Sequence, residues 1–134
     1  MEEENAANNK GKILLVEDDF VNGKIVSRLL EMDEIPIVWV RNGKEAIDFY
    51  LQNKDEILMV FMDLQMPILD GYQATVSLRE NGFERPIIAM TANAFSNDTK
   101  RSSEVGMDDF LLKPVSKIDL LTMVDKWMKK DRSK

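Results

Sequence analysis

The chain contains no cysteine and no histidine. Disulfides, thiolate chemistry, thiolate or imidazole zinc sites and every triad that needs histidine are excluded with them. Any metal must sit on oxygen ligands, which points to Mg2+, Mn2+ or Ca2+. Basic charge is also short: 18 Lys and Arg stand against 24 Asp and Glu, a net charge of −6. A phosphate backbone needs a basic stripe, so nucleic acid is disfavoured as a direct partner. No apolar run approaches the length that crosses a bilayer, and no membrane contact by this segment is expected. The opening MEEENAANNKGK is acidic and polar, unlike a secretory signal. Residues 1–11 read as a flexible lead-in, 12–130 as one domain and 131–134 as a tail. A cytoplasmic location is the default, for the chain itself or as the cytoplasmic part of a membrane protein.

What is present is a globular balance. The 134 residues are 44% hydrophobic and 31% charged, enough for one cored domain and too few for two. Five short apolar runs stand out: Ile13 to Val16, Ile35 to Val40, Ile57 to Met62, Pro86 to Met90, and Phe110 to Leu112. Each has strand length and no helical period, as strands buried on both faces should. Amphipathic stretches lie between them. Val21, Ile25, Val26, Leu29 and Leu30 share one helical face, as do Ala46, Ile47, Tyr50 and Leu51, and later Leu120, Leu121, Val124, Trp127 and Met128. The pattern predicts a single (βα)5 α/β domain: a doubly wound, five-stranded parallel sheet with helices on both faces. Pro36, inside the second run, cannot donate to a ladder, so that strand belongs at an edge. The flavodoxin-like order 2-1-3-4-5 puts it there and sets the switch point, where ligands bind, between strands 1 and 3.

In that order acids converge. Strand 1 ends in Glu17-Asp18-Asp19 and strand 3 in Asp63, so neighbouring strands would bring them to one end of the sheet. Like charges so close need a proton or a cation, and a hard divalent ion fits. Strand 4 ends in Thr91-Ala92 and strand 5 in Lys113-Pro114, adding a hydroxyl and an ammonium. Acids, hydroxyl and cation at four strand ends make a phosphoryl-transfer kit, with a carboxylate available as nucleophile.

Four segments in order, LLVEDD at 14–19, VFMDLQMPILDGY at 60–72, IIAMTANAF at 87–95 and GMDDFLLKP at 106–114, resemble the response-regulator receiver domain of two-component signalling. The resemblance covers nearly all of residues 12–130 and lies nearest the receivers of hybrid histidine kinases and phosphorelays. It implies that Asp63 is the phosphoacceptor, that Asp18 ligates Mg2+ (or Mn2+) directly, and that Glu17 acts beside it through water. The backbone carbonyl of Gln65 would complete the metal shell, while Thr91 and Lys113 would hold phosphoryl oxygens. Thr91 and Phe110 would form the switch pair. Many members have Tyr at the second position, and Phe lacks the hydroxyl, so switching here would be a packing change. Gln65 and Asn93 occupy positions that tune the lifetime of the acyl phosphate. The donor would be a histidine kinase or a histidine-containing phosphotransfer protein docking near Phe20, Val21 and Lys24. The face built from helix 4, strand 5 and helix 5 would report phosphorylation, helix 4 (around Ser96 to Glu104) being polar and weakly anchored. The chain would be a stand-alone receiver or the cytoplasmic receiver segment of a larger, membrane-bound hybrid kinase.

Plainer readings stand beside these. Asp19 reads as a helix cap, Asp70-Gly71 as a turn and N-cap, Gly106 as a turn, and Trp127 as a core or interface residue. A cis bond before Pro114 is expected. A haloacid-dehalogenase-type phosphatase would want a second Asp two residues after Asp63, where this chain has Gln65. A flavin mononucleotide carrier would want a hydroxyl- and Gly-rich loop after strand 1, where three acids stand. An inert receiver-like module would lack one of the acids, the Thr or the Lys. The expectation is a self-phosphorylating switch, not an enzyme turning over an external substrate.

Overall fold

The computed structural model describes residues 11–92 and 98–132. Of the readings above, residues 1–10, Asn93, Ser96, Asn97 and residues 133–134 therefore lie outside the described residues. Strands and helices alternate: β1 (Lys12–Val16), α1 (Phe20–Met32), β2 (Ile37–Val40), α2 (Gly43–Gln52), β3 (Ile57–Asp63), α3 (Gly71–Glu80), β4 (Ile87–Thr91), α4 (Asp98–Glu104), β5 (Asp109–Leu112) and α5 (Lys117–Arg132). All pairings are parallel and the order is β2-β1-β3-β4-β5, as the apolar runs predict.

Alternation along the strands divides the core into two layers. Leu14, Val16, Val60, Met62, Ile87 and Ala89 pack against Ala46 and Tyr50 of α2 and Tyr72, Ala74 and Leu78 of α3. Ile13, Leu15, Met59, Phe61, Ile88 and Met90 pack against Val26 and Leu30 of α1 and Leu120 and Val124 of α5. Fully burying one such large side chain is worth about 1.5–3 kcal/mol. The central strands are therefore closed on both faces, which is why they carry no polar alternation.

Helix starts are set by side-chain caps. Asp19 accepts from the amides of Val21 and Asn22, at 2.9 and 3.1 Å. Asn42 accepts from Glu45 N–H, and Asp70 forms a reciprocal capping box with Gln73. At the far end of the sheet the Arg79 guanidinium donates to the carbonyls of Phe83, Arg85 and Gly106 and pairs with Asp108 at 3.0 Å. One side chain thus ties the turn after α3 to the turn after α4, where Gly106 takes a φ of 107°.

One expectation needs correction. Pro36 precedes β2 rather than sitting inside it, and its carbonyl accepts from Ile13 N–H; β2 is an edge strand all the same. The apolar stripe of α1 is wider than the core accepts: Val26 and Leu30 are buried, but Val21 and Ile25 are exposed. Leu51 of α2 is likewise exposed. Helical periodicity marks a face, and the neighbouring elements decide how much of it is covered. Helix α4 spans seven residues as described, with Arg101 over the Tyr72 ring at 4.0 Å. No described helix is long and apolar enough to cross a membrane.

Candidate functional site

Register alone brings the site residues together. Val16 pairs with Met62, so the next residues, Glu17 and Asp63, emerge side by side. Asp63 pairs with Met90, which sets Thr91 one step beyond it, and Thr91 pairs with Leu112, which sets Lys113 beyond that. Parallel strands share one carboxyl edge, so four separate sequence segments open onto one cleft. That cleft, of about 220 Å3, is lined by Glu17, Asp18, Asp19, Asp63, Leu64, Gln65, Met90, Thr91, Ala92 and Lys113.

Its electrostatics are those of a negative cluster with one ammonium. Carboxylate oxygens of Glu17, Asp18 and Asp63 all lie within 4.8 Å of one another. Glu17 is fully buried and Asp63 nearly so, while Asp18 is half-exposed. Lys113 Nζ stands 3.0 Å from Glu17 Oε1 and 3.1 Å from Asp63 Oδ1. Burial, followed by the adjoining Glu17 carboxylate, pushes Asp63 up from 3.8 to about 6 against the pull of Lys113. Asp18 is raised as well, by burial and by Asp63. Burial works against the charge of Lys113, but Glu17 and Asp63 outweigh it and its pKa is raised. The cation is therefore fully charged at neutral pH.

The cleft suits a divalent cation. Three carboxylates face one ammonium, leaving uncompensated negative charge. Glu17 Oε1 is buried against the Lys113 ammonium, a cation it shares with Asp63 Oδ1. The donor set is entirely oxygen, the preference of Mg2+.

The loop after Asp63 is shaped to hold it. Gln65 N–H donates to Asp63 Oδ1 at 3.3 Å, and Leu64 N–H donates to Met90 C=O at 3.1 Å. Ile68 takes a φ of 73°, a left-handed conformation that β-branched residues rarely adopt. Gly71 N–H returns to Leu64 C=O, and a Cβ on Gly71 would lie 2.3 Å from Asp63 O. Sequence reading placed Gly71 in a turn and missed this close approach. The Asp-Gly pair carried the turn signal, but nothing local said which backbone would press against it.

A profile of the response regulator receiver domain matches residues 13–125. The chain belongs to this family. Hybrid signal transduction histidine kinase I of Dictyostelium discoideum is 36% identical over 133 residues, which cover 91% of this chain and 8% of that protein. The receiver domain of a sensor histidine kinase from Pseudomonas aeruginosa, solved with a magnesium ion coordinated in its active-site cleft, is similar at 35% identity. It has a TM-score of 0.80 and covers 88% of this chain and 97% of its own. The receiver domain of Saccharomyces cerevisiae Ssk1, solved with the histidine phosphotransfer protein Ypd1, appears in a structure with TM-score 0.82 and 28% identity, covering 92% of each chain.

Within this receiver, six of the residues named from the sequence come together. Glu17, Asp18, Asp63, Gln65, Thr91 and Lys113 line the one cleft. Thr91 is buried at the end of β4. The Lys113–Pro114 bond is cis. Phe110 pairs with Ala89 and is 39% exposed. Because Leu111 points into the α1 and α5 layer, Phe110 shares the other sheet face with Ala89 and Thr91. Two residues outside the named set, Trp39 and Arg41, bond to carbonyls of the acidic loop. Trp39 read only as part of an apolar run, and a side chain reaching across strands leaves no mark in sequence spacing.

Proposed function

We infer that this receiver is a phosphoacceptor switch of a two-component phosphorelay, with Asp63 taking a phosphoryl group from a phosphohistidine. The observation that carries the reading is the pairing of a buried Asp63 with Lys113 at 3.1 Å inside a three-carboxylate cleft. Asp63 Oδ1 is engaged by Lys113 and by Gln65 N–H, so Oδ2 is the attacking oxygen. It forms a P–O bond as the P–N bond of the donor breaks, and the imidazole leaves with the electron pair. Lys113 and the Thr91 hydroxyl hold the oxygens of the transferred group. Water later hydrolyses the acyl phosphate, with Gln65 and Asn93 at positions that set its lifetime.

Glu17, Asp18, Asp63 and the Gln65 carbonyl would hold Mg2+, or Mn2+ with the same ligand preference. A cation there neutralises charge on the phosphoryl oxygens. No external substrate is turned over: the receiver catalyses its own phosphorylation and dephosphorylation, in a cytoplasmic setting. Incubation with acetyl phosphate and Mg2+, followed by intact mass, should give a single phosphoryl adduct. No adduct at any Mg2+ concentration would refute the reading.

The readout proposed is a packing switch. Thr91 moves toward the phosphoryl group and Phe110 rotates into the space beside it, altering the face formed by α4, β5 and α5. A structure with a phosphate mimic in which Thr91 and Phe110 keep their present positions would contradict this.

The donor docks beside α1. Phe20 and Val21 are 56% and 64% exposed at the helix end nearest the cleft, with Lys24 over the Phe20 ring. Alanine at Phe20 and Val21 together should slow transfer from a histidine phosphotransfer protein at least tenfold, the loss of about 1.4 kcal/mol or more of contact energy. Phosphorylation by acetyl phosphate at saturating Mg2+ should be unaffected, since that donor needs no docking face. Equal slowing with both donors would place the defect in the cleft instead.

A further inference from the structure

The acidic loop that follows β1 is gripped from its other flank. Glu17 C=O accepts from Trp39 Nε1 at 2.9 Å, and Asp18 C=O accepts from the Arg41 guanidinium at 2.8 Å. Both donors come from β2 and the residue after it. β1 lies between β2 and β3, so these bonds approach from the strand opposite the one that carries Asp63. Glu17 N–H bonds to Val40 C=O at 3.1 Å, and Asp19 N–H bonds to Glu17 Oε2 at 3.1 Å.

The indole is itself confined. A Cβ on Gly23 would lie 2.0 Å from Trp39 Cζ2, so α1 meets the ring with a bare backbone. The Phe20 ring lies 5.7 Å away at 36°, and the Arg41 guanidinium is 5.7 Å from the indole. A ring held on these sides has little freedom to swing its N–H away from Glu17.

We propose that Trp39 and Arg41 are positioning residues for the cation site: by holding the Glu17 and Asp18 carbonyls, they aim the carboxylates of the same residues. The proposal rests on the metal reading above. Peptide planarity links each carbonyl direction to the adjacent backbone, and so to the bond on which the carboxylate swings. Residues 17–19 lie beyond β1, where Glu17 N–H keeps one bond to Val40 and these two donors hold the carbonyls. Groups that orient ligands in this way typically change metal affinity 10–100-fold when removed.

The test is Mg2+ binding by the intact chain, followed by calorimetry and by the indole N–H resonances. Trp39→Phe keeps a ring and loses the N–H; Arg41→Met keeps the stem and loses the donor. Each should weaken Mg2+ binding roughly tenfold. Phosphorylation by acetyl phosphate should need correspondingly more Mg2+, yet at saturation return to within about twofold of wild type, because positioning acts on the cation and not on Asp63. Arg41→Lys, which keeps a donor, should recover most of the affinity. In wild type the Trp39 N–H resonance should move on adding Mg2+, while that of Trp127, bonded to Asp109 Oδ2, stays in place. If Trp39→Phe fails to fold, the exposed Arg41 decides. Wild-type affinity in Arg41→Met and in any folded Trp39→Phe overturns this inference alone. A wild type that binds no Mg2+ overturns the metal reading and this inference with it.

Discussion

Asp63→Asn should abolish the phosphoryl adduct and, at the same time, make the metal-free domain more stable at neutral pH. An amide oxygen cannot form the acyl phosphate, so intact mass after acetyl phosphate and Mg2+ should show unmodified protein only. The stability gain has a different origin. Asp63 titrates near 6 rather than at 3.8, first because it is buried and then because Glu17 adjoins it. A carboxylate with a raised native pKa binds more protons folded than unfolded between those values. Stability therefore falls as pH rises through that window, and the cost is fully present above it. A rise of that size corresponds to about 2–3 kcal/mol. Denaturant unfolding in chelator should show Asp63→Asn exceeding wild type by about that amount at pH 7.5, with the gap closing below pH ~4. A variant that keeps its adduct would remove Asp63 from the acceptor role. Equal stabilities at pH 7.5 would show that the carboxylate is not strained as described.

Removing the cation should do the reverse. Lys113→Met leaves Glu17 and Asp63 buried without the ammonium that lies 3.0 and 3.1 Å from them. Because the folded pKa of Lys113 is raised, its contribution is fully present at neutral pH and is lost on the alkaline side as the ammonium itself titrates. Taking one partner from a buried ion pair costs about 3–5 kcal/mol, so metal-free Lys113→Met should be destabilised by about 3 kcal/mol at pH 7.5. Lowering the pH should recover much of this, and from a higher pH than in wild type, because Asp63 without the pull of Lys113 takes up its proton more readily. Millimolar Mg2+ should recover it too, by restoring positive charge among the same oxygens. Phosphorylation should remain at least ~100-fold slower, because Mg2+ does not replace a donor aimed at the transferred oxygens. A variant as stable as wild type in chelator at pH 7.5 would show that the ammonium does not offset the buried acids.

The two variants show why composition already narrowed the chemistry. With no histidine or cysteine, thiolate and imidazole chemistry are excluded, and any cation held by the carboxylates at the strand ends must sit on oxygen. Strand and helix alternation was legible because Ile57 to Met62 and Pro86 to Met90 are apolar throughout, as central parallel strands must be. The strand ends then named Glu17, Asp18, Asp63, Thr91 and Lys113 directly. Boundaries were less legible: Pro36 looked like part of a strand that begins one residue later, since apolar character continues through the turn.

What the sequence determined by itself is a matter of periodicity and side-chain chemistry, both of which are local: five alternating units, an all-oxygen donor set, and an acid, hydroxyl or ammonium at each of four strand ends. The rest came from strand pairing and helix packing. Parallel register set Glu17 beside Asp63, the Gly71 backbone was pressed against the Asp63 carbonyl, and Trp39 and Arg41 reached across from β2 to the acidic loop. Which parts of α1 stay exposed was decided there as well, since Val21 and Ile25 have the same apolar spacing as the residues that are buried. Those outcomes depend on contacts between residues far apart in the chain, and a contact of that kind exists only once the strands are paired and the helices laid over them.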